Sequence, residues 1–131
     1  MKVKIIRLAR KMDMRGWFLK VLMQHQINGR KRFGEIYMSV ANPGQVRAGH
    51  YHRHTTEWFC AVGGKGVLTL KDIVSGKKEN VALNGSKPIT VVVPPRVAHR
   101  IRNSGTEPLV VLAYADVEYN RSRPDTIATD V

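Results

Sequence analysis

The stretch Gly44–Gly64, with the sequence GQVRAGHYHRHTTEWFCAVGG, decides the predicted fold of this chain. His50 and His52 are two residues apart, so on a β-strand both side chains point to the same face of the sheet. Glu57 follows after a gap that is long enough for a bend or a turn into the next strand. The stretch therefore predicts two neighbouring strands that bring two imidazoles and one carboxylate together.

A second stretch supplies a third imidazole. The sequence PPRVAHRIRN at 94–103 places His99 at the start of a predicted strand, directly after a proline break. Three imidazoles and one carboxylate match the usual ligands of a divalent first-row metal, and such coordination leaves positions open for water or substrate. The alternative is a polar strand face that holds no metal. We expect a metal site formed by His50, His52, Glu57 and His99.

Short β-rich runs separated by frequent turn signals fill the rest of the chain. Turns with glycine, proline or asparagine recur at short intervals, and past residue 30 no stretch supports a helix of normal length. The pattern predicts an all-β domain over residues 1–131, with an N-terminal strand or arm at 1–14. The tail at 120–131 is expected to lie over the surface or cross to a partner subunit. The predicted strands cover 3–8, 17–23, 34–40, 58–62, 67–71, 89–93, 98–102 and 109–114.

The 131-residue chain is strongly basic, with a formal charge of +12 that attracts polyanions. The basic residues are spread along the sequence, and no recognition helix, zinc finger or basic zipper is recognisable. A small anionic substrate is therefore favoured over nucleic acid. No apolar run approaches the length of a membrane span, and the N-terminus lacks the apolar core of a signal peptide, which predicts a cytoplasmic protein without membrane contact.

The spacing of these motifs resembles that of the cupin superfamily. Gly44, His50, His52, Glu57 and Gly64 match the first cupin motif position for position. The second motif is matched at 94–103, except that Arg96 replaces the usual glycine. The resemblance implies a double-stranded β-helix, the cupin jelly roll, which agrees with the independent strand pattern.

A narrower resemblance covers nearly the whole chain. Residues 13–18 (DMRGWF) are similar to a signature of the dTDP-4-dehydrorhamnose 3,5-epimerase group, and Arg47–His50 resembles another segment of that group. The chain resembles still more the C-terminal zinc cupin of bifunctional capsular-polysaccharide enzymes that epimerise and reduce UDP-sugars. This resemblance implies epimerisation beside the ketone of a nucleotide-diphosphate sugar, a bound zinc ion and a homodimer. Those relatives carry a reductase domain before the cupin, so any reduction here is expected to need a separate partner.

Epimerisation next to a ketone requires a base, a group that stabilises the enolate oxygen, and an acid on the opposite face. His50 is the candidate base, and a metal ion or Lys65 is the candidate enolate stabiliser. Tyr114 and Tyr119 are the candidate acids. Arg15 and Arg47, which lie in matching motif positions, are expected to hold the diphosphate through bidentate contacts.

Three questions stay open at this point. His50 cannot bind a metal and accept the substrate proton at once, so with metal bound the base would be another group, such as His54 or a metal-bound hydroxide. Zinc is the expected metal, with nickel, manganese or iron as alternatives and a metal-free site still possible. The alternative functions are a cupin 3,4-ketoisomerase of a dTDP-4-keto sugar and a non-catalytic cupin that binds a metal or a sugar.

Overall fold

The computed structural model describes residues 1–14, 16–27 and 32–131, and the regular secondary structure within them is almost entirely β-strand. A short 3₁₀ helix at Gln24–Gln26 interrupts the strands. The strands are β1 (Lys4–Arg7), β2 (Lys11–Asp13), β3 (Gly16–Phe18), β4 (Glu35–Ala41), β5 (Val46–Tyr51), β6 (Glu57–Gly63), β7 (Lys65–Asp72), β8 (Lys78–Asn84), β9 (Ile89–Val93), β10 (Val97–Asn103), β11 (Leu109–Ala115) and β12 (Ile127–Ala128).

Two five-stranded antiparallel sheets enclose the core. One sheet has the order β1-β9-β6-β11-β4, and the other has the order β12-β5-β10-β7-β8. Alternate residues of each strand point inward, which produces a continuous core that includes Phe59, Leu68, Leu70 and Val91. This arrangement confirms the predicted all-β cupin jelly roll.

The register between β5 and β10 sets the position of the predicted site. His99 lies directly opposite His50, and the register shifts between His99 and Arg100. Ala48 and Gly49 provide this irregularity with positive φ angles of 66° and 94°. The shift changes the course of β5 just before the histidines, so that both His50 and His52 reach the interior.

Three positions of the two motifs show how the backbone depends on the residue present. At Gly64, with φ of 80°, a side chain would meet the carbonyl oxygen of Pro108. Asn103 is buried, and its Nδ2 donates to the carbonyl oxygens of Ala41 (2.8 Å) and Glu107 (2.7 Å). Arg96, which stands in place of a glycine, adopts a φ of 64°.

Several strand predictions were incomplete. The strand predicted at 17–23 ends at Phe18, and the chain then runs irregularly into the 3₁₀ helix. β8 at Lys78–Asn84 was missed because its sequence, KENVALN, is rich in polar residues. The tail does not only lie over the surface, since Ile127 and Ala128 pair with Tyr51 and His50 of the same chain.

Candidate metal centre

The structure brings the four predicted metal ligands together inside the jelly roll. One ligand atom from each of the four side chains lies within 4.8 Å of all the others. They come from three places in the two sheets: the end of β5 and the residue after it, the start of β6, and the centre of β10. Three of them are well buried, and His50 is partly open to a cavity. We call this set the histidine cage: His50, His52, Glu57 and His99.

Hydrogen bonds at the outer nitrogens fix the tautomers of two histidines. His52 Nδ1 lies 2.7 Å from the carbonyl oxygen of Asp125, and His99 Nδ1 lies 3.1 Å from the carbonyl oxygen of Val97. A carbonyl oxygen only accepts hydrogen bonds, so each Nδ1 must carry the proton that it donates. In the neutral imidazoles both Nε2 atoms are therefore left as lone pairs that point into the cage.

The two lone pairs face the same carboxylate oxygen. His52 Nε2 lies 3.1 Å from Glu57 Oε2, and His99 Nε2 lies 3.0 Å from the same atom. Among the described residues, His99 Nε2 is also a buried nitrogen that makes no hydrogen bond, in spite of this short distance. Acceptors that converge in this way need a cation between them, either a proton on an imidazole or a metal ion. The donor set fits a divalent metal, and zinc, nickel, manganese and iron all accept imidazole and carboxylate ligands.

The charges of the cage follow from the same contacts. Burial raises the pKa of Glu57, but its close contacts with His52 and His99 outweigh burial and hold that pKa far below its ordinary range. For His52, burial is opposed by Glu57 and by the bond to Asp125, which together raise its pKa. Burial, with the neighbouring His99 and His52, lowers the pKa of His50 to about 4. His50 is consequently neutral near pH 7, which is the state that a metal ligand requires.

Tyr37 contacts the cage from β4, and it was not predicted from the sequence. Its hydroxyl donates to Glu57 Oε1 at 2.7 Å, which leaves Oε2 for the histidines. Burial and the charge of Glu57 raise the pKa of Tyr37 above its ordinary range, so the phenol keeps its proton. The alternation of β4 places Tyr37 on the inner face, but only the register with β11 brings this strand to the cage.

A cavity of about 350 Å³ opens beside the cage, and the C-terminal part of the chain forms one of its walls. We call residues 117–126 the tail wall, because most of the lining side chains beyond the sheets come from this segment. Four carboxylates line the cavity, whereas Arg123 is the one Lys or Arg among the described residues that do so. The lining residues are Glu35, Tyr37, His50, His52, Thr55, Glu57, Ala115, Val117, Glu118, Tyr119, Asn120, Arg123, Asp125 and Thr126.

The other predicted site residues divide between the cavity and more distant places. Tyr119 lines the cavity. Tyr114 lies on the opposite face of its sheet, where it packs against Trp58 and its hydroxyl accepts a hydrogen bond from Gly34 N. Its neighbour Ala115 takes the inward position beside Glu57.

Two predicted cationic residues lie away from the cage. Lys65 is exposed at the start of β7, five residues before Leu70, which pairs with His99. At about 3.3 Å per residue this places it roughly 16 Å along the strand from the cage, so the structure does not bring it to the enolate position. The Nε of Arg47 donates to the carbonyl oxygen of Val40 at 2.9 Å. Arg15 lies outside the described residues.

His54, the alternative base, is exposed. Its backbone nitrogen donates to Asp125 Oδ2 at 2.9 Å, and its side chain is not among those that line the cavity. The bend after His52 therefore turns His54 away from the cage.

The jelly roll and the cage of three histidines and one carboxylate define the class of this protein: it is a cupin whose cage can hold a metal ion. The chain belongs to the family described as Polysaccharide biosynthesis C-terminal domain, which it matches over residues 11–127. Among the described residues there is no helix with the length and apolar character needed to cross a membrane.

Three relatives are similar in sequence. A UDP-2-acetamido-2,6-beta-L-arabino-hexul-4-ose reductase of Pseudomonas aeruginosa is 33% identical over 91% of this chain and 30% of its own length. The chain thus spans less than a third of that relative. The spore coat polysaccharide biosynthesis protein SpsL of Bacillus subtilis is 29% identical over 94% of this chain and 84% of its own. A glucose-6-phosphate isomerase of Thermococcus gammatolerans is 35% identical over 82% and 68%.

Solved structures share the fold. The capsular polysaccharide assembling protein CapF of Staphylococcus aureus matches 95% of this chain and 34% of its own, with a TM-score of 0.73 and 25% identity. A dTDP sugar isomerase of Desulfovibrio desulfuricans matches 98% and 83%, with a TM-score of 0.87 and 22% identity. A dTDP-4-dehydrorhamnose 3,5-epimerase of Sulfolobus tokodaii matches 93% and 74%, with a TM-score of 0.80 and 20% identity.

Proposed function

We propose that this protein is a nucleotide-sugar epimerase that acts beside the ketone of a UDP- or dTDP-4-keto-6-deoxy sugar in surface polysaccharide biosynthesis. The observation that carries the proposal is the cavity wall at His50, where a neutral imidazole and a ready-made cation site adjoin a space large enough for a sugar. The family match and the similar sugar epimerases support the same chemistry.

The cage would hold the divalent metal, with zinc as the first candidate, through His50, His52, Glu57 and His99. When bound, such an ion supplies Lewis acidity beside a sugar carbonyl. His50 fits the role of ligand better than that of base, because a pKa of about 4 makes it a weak proton acceptor at neutral pH. Without metal, His50 is the cage imidazole that faces the cavity most openly and is the candidate base, but its low pKa makes it a weak one.

The tail wall would supply the other groups. Tyr119 is our candidate proton donor, since its side chain lines the cavity and a phenol can return a proton to the carbon beside a ketone. Arg123 replaces Arg47 as the candidate anchor for the diphosphate, because Arg47 bonds the Val40 carbonyl whereas Arg123 faces the cavity. A guanidinium matches the paired oxygens of a phosphate.

The test is solvent exchange at the carbons that flank the ketone. The protein, loaded with zinc, is incubated in deuterated water with a panel of UDP- and dTDP-4-keto-6-deoxy sugars, and deuterium uptake is followed by mass spectrometry and NMR. We expect uptake with inversion at one or both carbons for at least one sugar. Glu57→Gln serves as the control for spontaneous exchange. Uptake no faster than in this control across the panel would overturn the proposal.

A 3,4-ketoisomerase is the second candidate. It is favoured by the dTDP sugar isomerase of similar length, which matches 98% of this chain with a TM-score of 0.87. The same incubation separates the two reactions, because NMR of the product shows either an inverted centre or a ketone moved to carbon 3. Tight binding of a sugar nucleotide without either product would instead indicate a non-catalytic binding protein.

We also propose that the protein is a cytoplasmic homodimer. The exposed apolar side chains Ile36, Met38 and Val40 form a stripe on the outer face of β4, an edge strand whose free side can pair with a second copy. Light scattering is expected to give a dimer, and the double variant I36E/M38E a monomer. Val74→Glu, at an exposed valine of the β7–β8 turn, is the control.

A further inference from the structure

The C-terminal end of the tail wall contacts the cage through Asp125. The Asp125 carboxylate accepts hydrogen bonds from Arg53 N, His54 N and Thr55 Oγ1, each at 2.9 Å. Its backbone carbonyl accepts the bond from His52 Nδ1 at 2.7 Å. One residue thus fixes the chain that follows β5 and orients a cage histidine at the same time.

The residues after Asp125 hold the same strand. Ile127 and Ala128 pair with Tyr51 and His50, and Thr129 N donates to the carbonyl oxygen of Gly49 at 3.1 Å. We call residues 125–129 the latch. Along the chain, the latch is joined to β11 of the other sheet through the exposed segment 117–124. Docking of the latch therefore depends on its contacts with β5 and with residues 53–55.

We propose that docking of the latch and binding of the metal ion are coupled, with Asp125 as the positioning residue between them. This inference rests on the proposed metal centre. A metal ion needs the lone pair of His52 Nε2, and the Nδ1–H···O=C bond to Asp125 selects that tautomer and holds the ring in place. With the latch undocked, Nδ1 loses its acceptor, and the ring is free to rotate or to change its tautomer.

Coupling of this kind is reciprocal. If the docked latch strengthens metal binding by a given factor, bound metal strengthens docking of the latch by the same factor. The latch also fixes the far end of the wall that carries Tyr119 and Arg123. The metal ion would therefore order the substrate cavity without touching any side chain of the tail wall. Its effect would pass through His52 and the latch.

The first test measures zinc affinity by competition with a chromophoric chelator for the wild type, Asp125→Ala and Asp125→Asn. We expect the dissociation constant to rise about 10- to 100-fold in Asp125→Ala, and less in Asp125→Asn, which keeps one acceptor oxygen. The matched control is Asp72→Ala. Asp72 Oδ1 caps Val74 N (2.8 Å) and Ser75 N (3.1 Å) in the β7–β8 turn, so its loss removes similar bonds without touching a histidine. It should change zinc affinity less than twofold.

The second test needs no variant. Hydrogen exchange of the amides at 125–129 in the wild type, measured with and without zinc, should slow by about the factor lost in Asp125→Ala. Unchanged zinc affinity in a folded Asp125→Ala or Asp125→Asn, or exchange that zinc does not slow, would overturn the coupling while the metal centre stands. Failure of the wild type to bind zinc, nickel or manganese would overturn the metal centre itself, and the coupling with it.

Discussion

The histidine cage and the tail wall face the same cavity but are built in opposite ways. Three of the four cage side chains lie on strands of the two sheets: His50 and His99 are register partners, and Glu57 begins a strand paired on both sides. The tail wall is exposed, and segment 117–124 contains no strand. The fold therefore fixes the positions of the groups that would bind a cation. Contacts to the rest of a substrate come from a segment that can change without disturbing the core.

Loss of a cage ligand should have the largest effect. Glu57→Gln keeps the size of the side chain but removes the charge that faces two Nε2 atoms, so we expect zinc affinity to fall more than about 100-fold and turnover to be lost. Isothermal titration with zinc and the exchange assay measure both. Tyr114→Phe, on the outer face of its sheet, is the control. Wild-type zinc affinity in Glu57→Gln would show that this carboxylate is not a ligand.

Loss of the wall's cation should change binding without removing the metal. Arg123→Gln removes the one guanidinium that lines the cavity among the described residues, and a charge-assisted hydrogen bond contributes about 1.5–3 kcal/mol. We expect KM for the nucleotide sugar to rise roughly 10- to 100-fold, with kcat and zinc affinity nearly unchanged. Arg121→Gln, an exposed arginine of the same segment outside the cavity lining, is the control. Equal effects of both variants would mean a diffuse charge effect and no specific anchor.

Most of the cage could be predicted from sequence because its residues lie close together in the chain. His99 is the exception, since it lies in the second motif. His50 and His52 share a face by strand alternation, and the turn before Glu57 is short. The wall could not be predicted, because it depends on the pairing of β12 with β5, about 75 residues apart in the chain. Tyr114 illustrates the limit of such reasoning, since a difference of one position in β11 moves a side chain to the other face of the sheet.

A smaller effect is expected from the hydroxyl that supports the cage. Tyr37→Phe removes the 2.7 Å hydrogen bond to Glu57 Oε1 and leaves every ligand in place. We expect zinc affinity to fall about tenfold, as is usual when a partner of a metal ligand is lost. Tyr51→Phe is the matched control, because Tyr51 lies on the outer side of β5 relative to His50. If Tyr37→Phe binds zinc like the wild type, Glu57 needs no orientation by this hydroxyl.

The cage should also show itself in the titration of the metal-free protein. NMR of the histidine rings after chelation should give His50 a pKa of about 4, and His52 a pKa above its ordinary value of 6.5. Between pH 6.5 and 4 the unfolded chain binds a proton at His50 that the folded chain does not, so His50 makes folding less stable as the pH falls. The contribution of His52 has the opposite sign and is lost as the pH rises through its raised pKa. A value near 6.5 for His50 would show that the cage does not desolvate it.

The smallest effect concerns the backbone beside the cage. Arg96 N donates to the carbonyl oxygen of His52 at 2.7 Å, and Arg96 adopts a φ of 64°, a conformation that a side chain makes costly by about 1 kcal/mol. Arg96 is exposed, so Arg96→Gly should relieve this strain, less the entropy that glycine adds to the unfolded chain. Because the entropy cost of glycine, about 0.5–1 kcal/mol, offsets most of this gain, we expect the melting temperature to rise by at most roughly 2 °C, whereas Arg100→Gly, inside β10, should lower it. A lower melting temperature for Arg96→Gly would mean that the Arg96 side chain stabilises this end of the cage. That stabilisation would then outweigh the cost of the positive φ at this position.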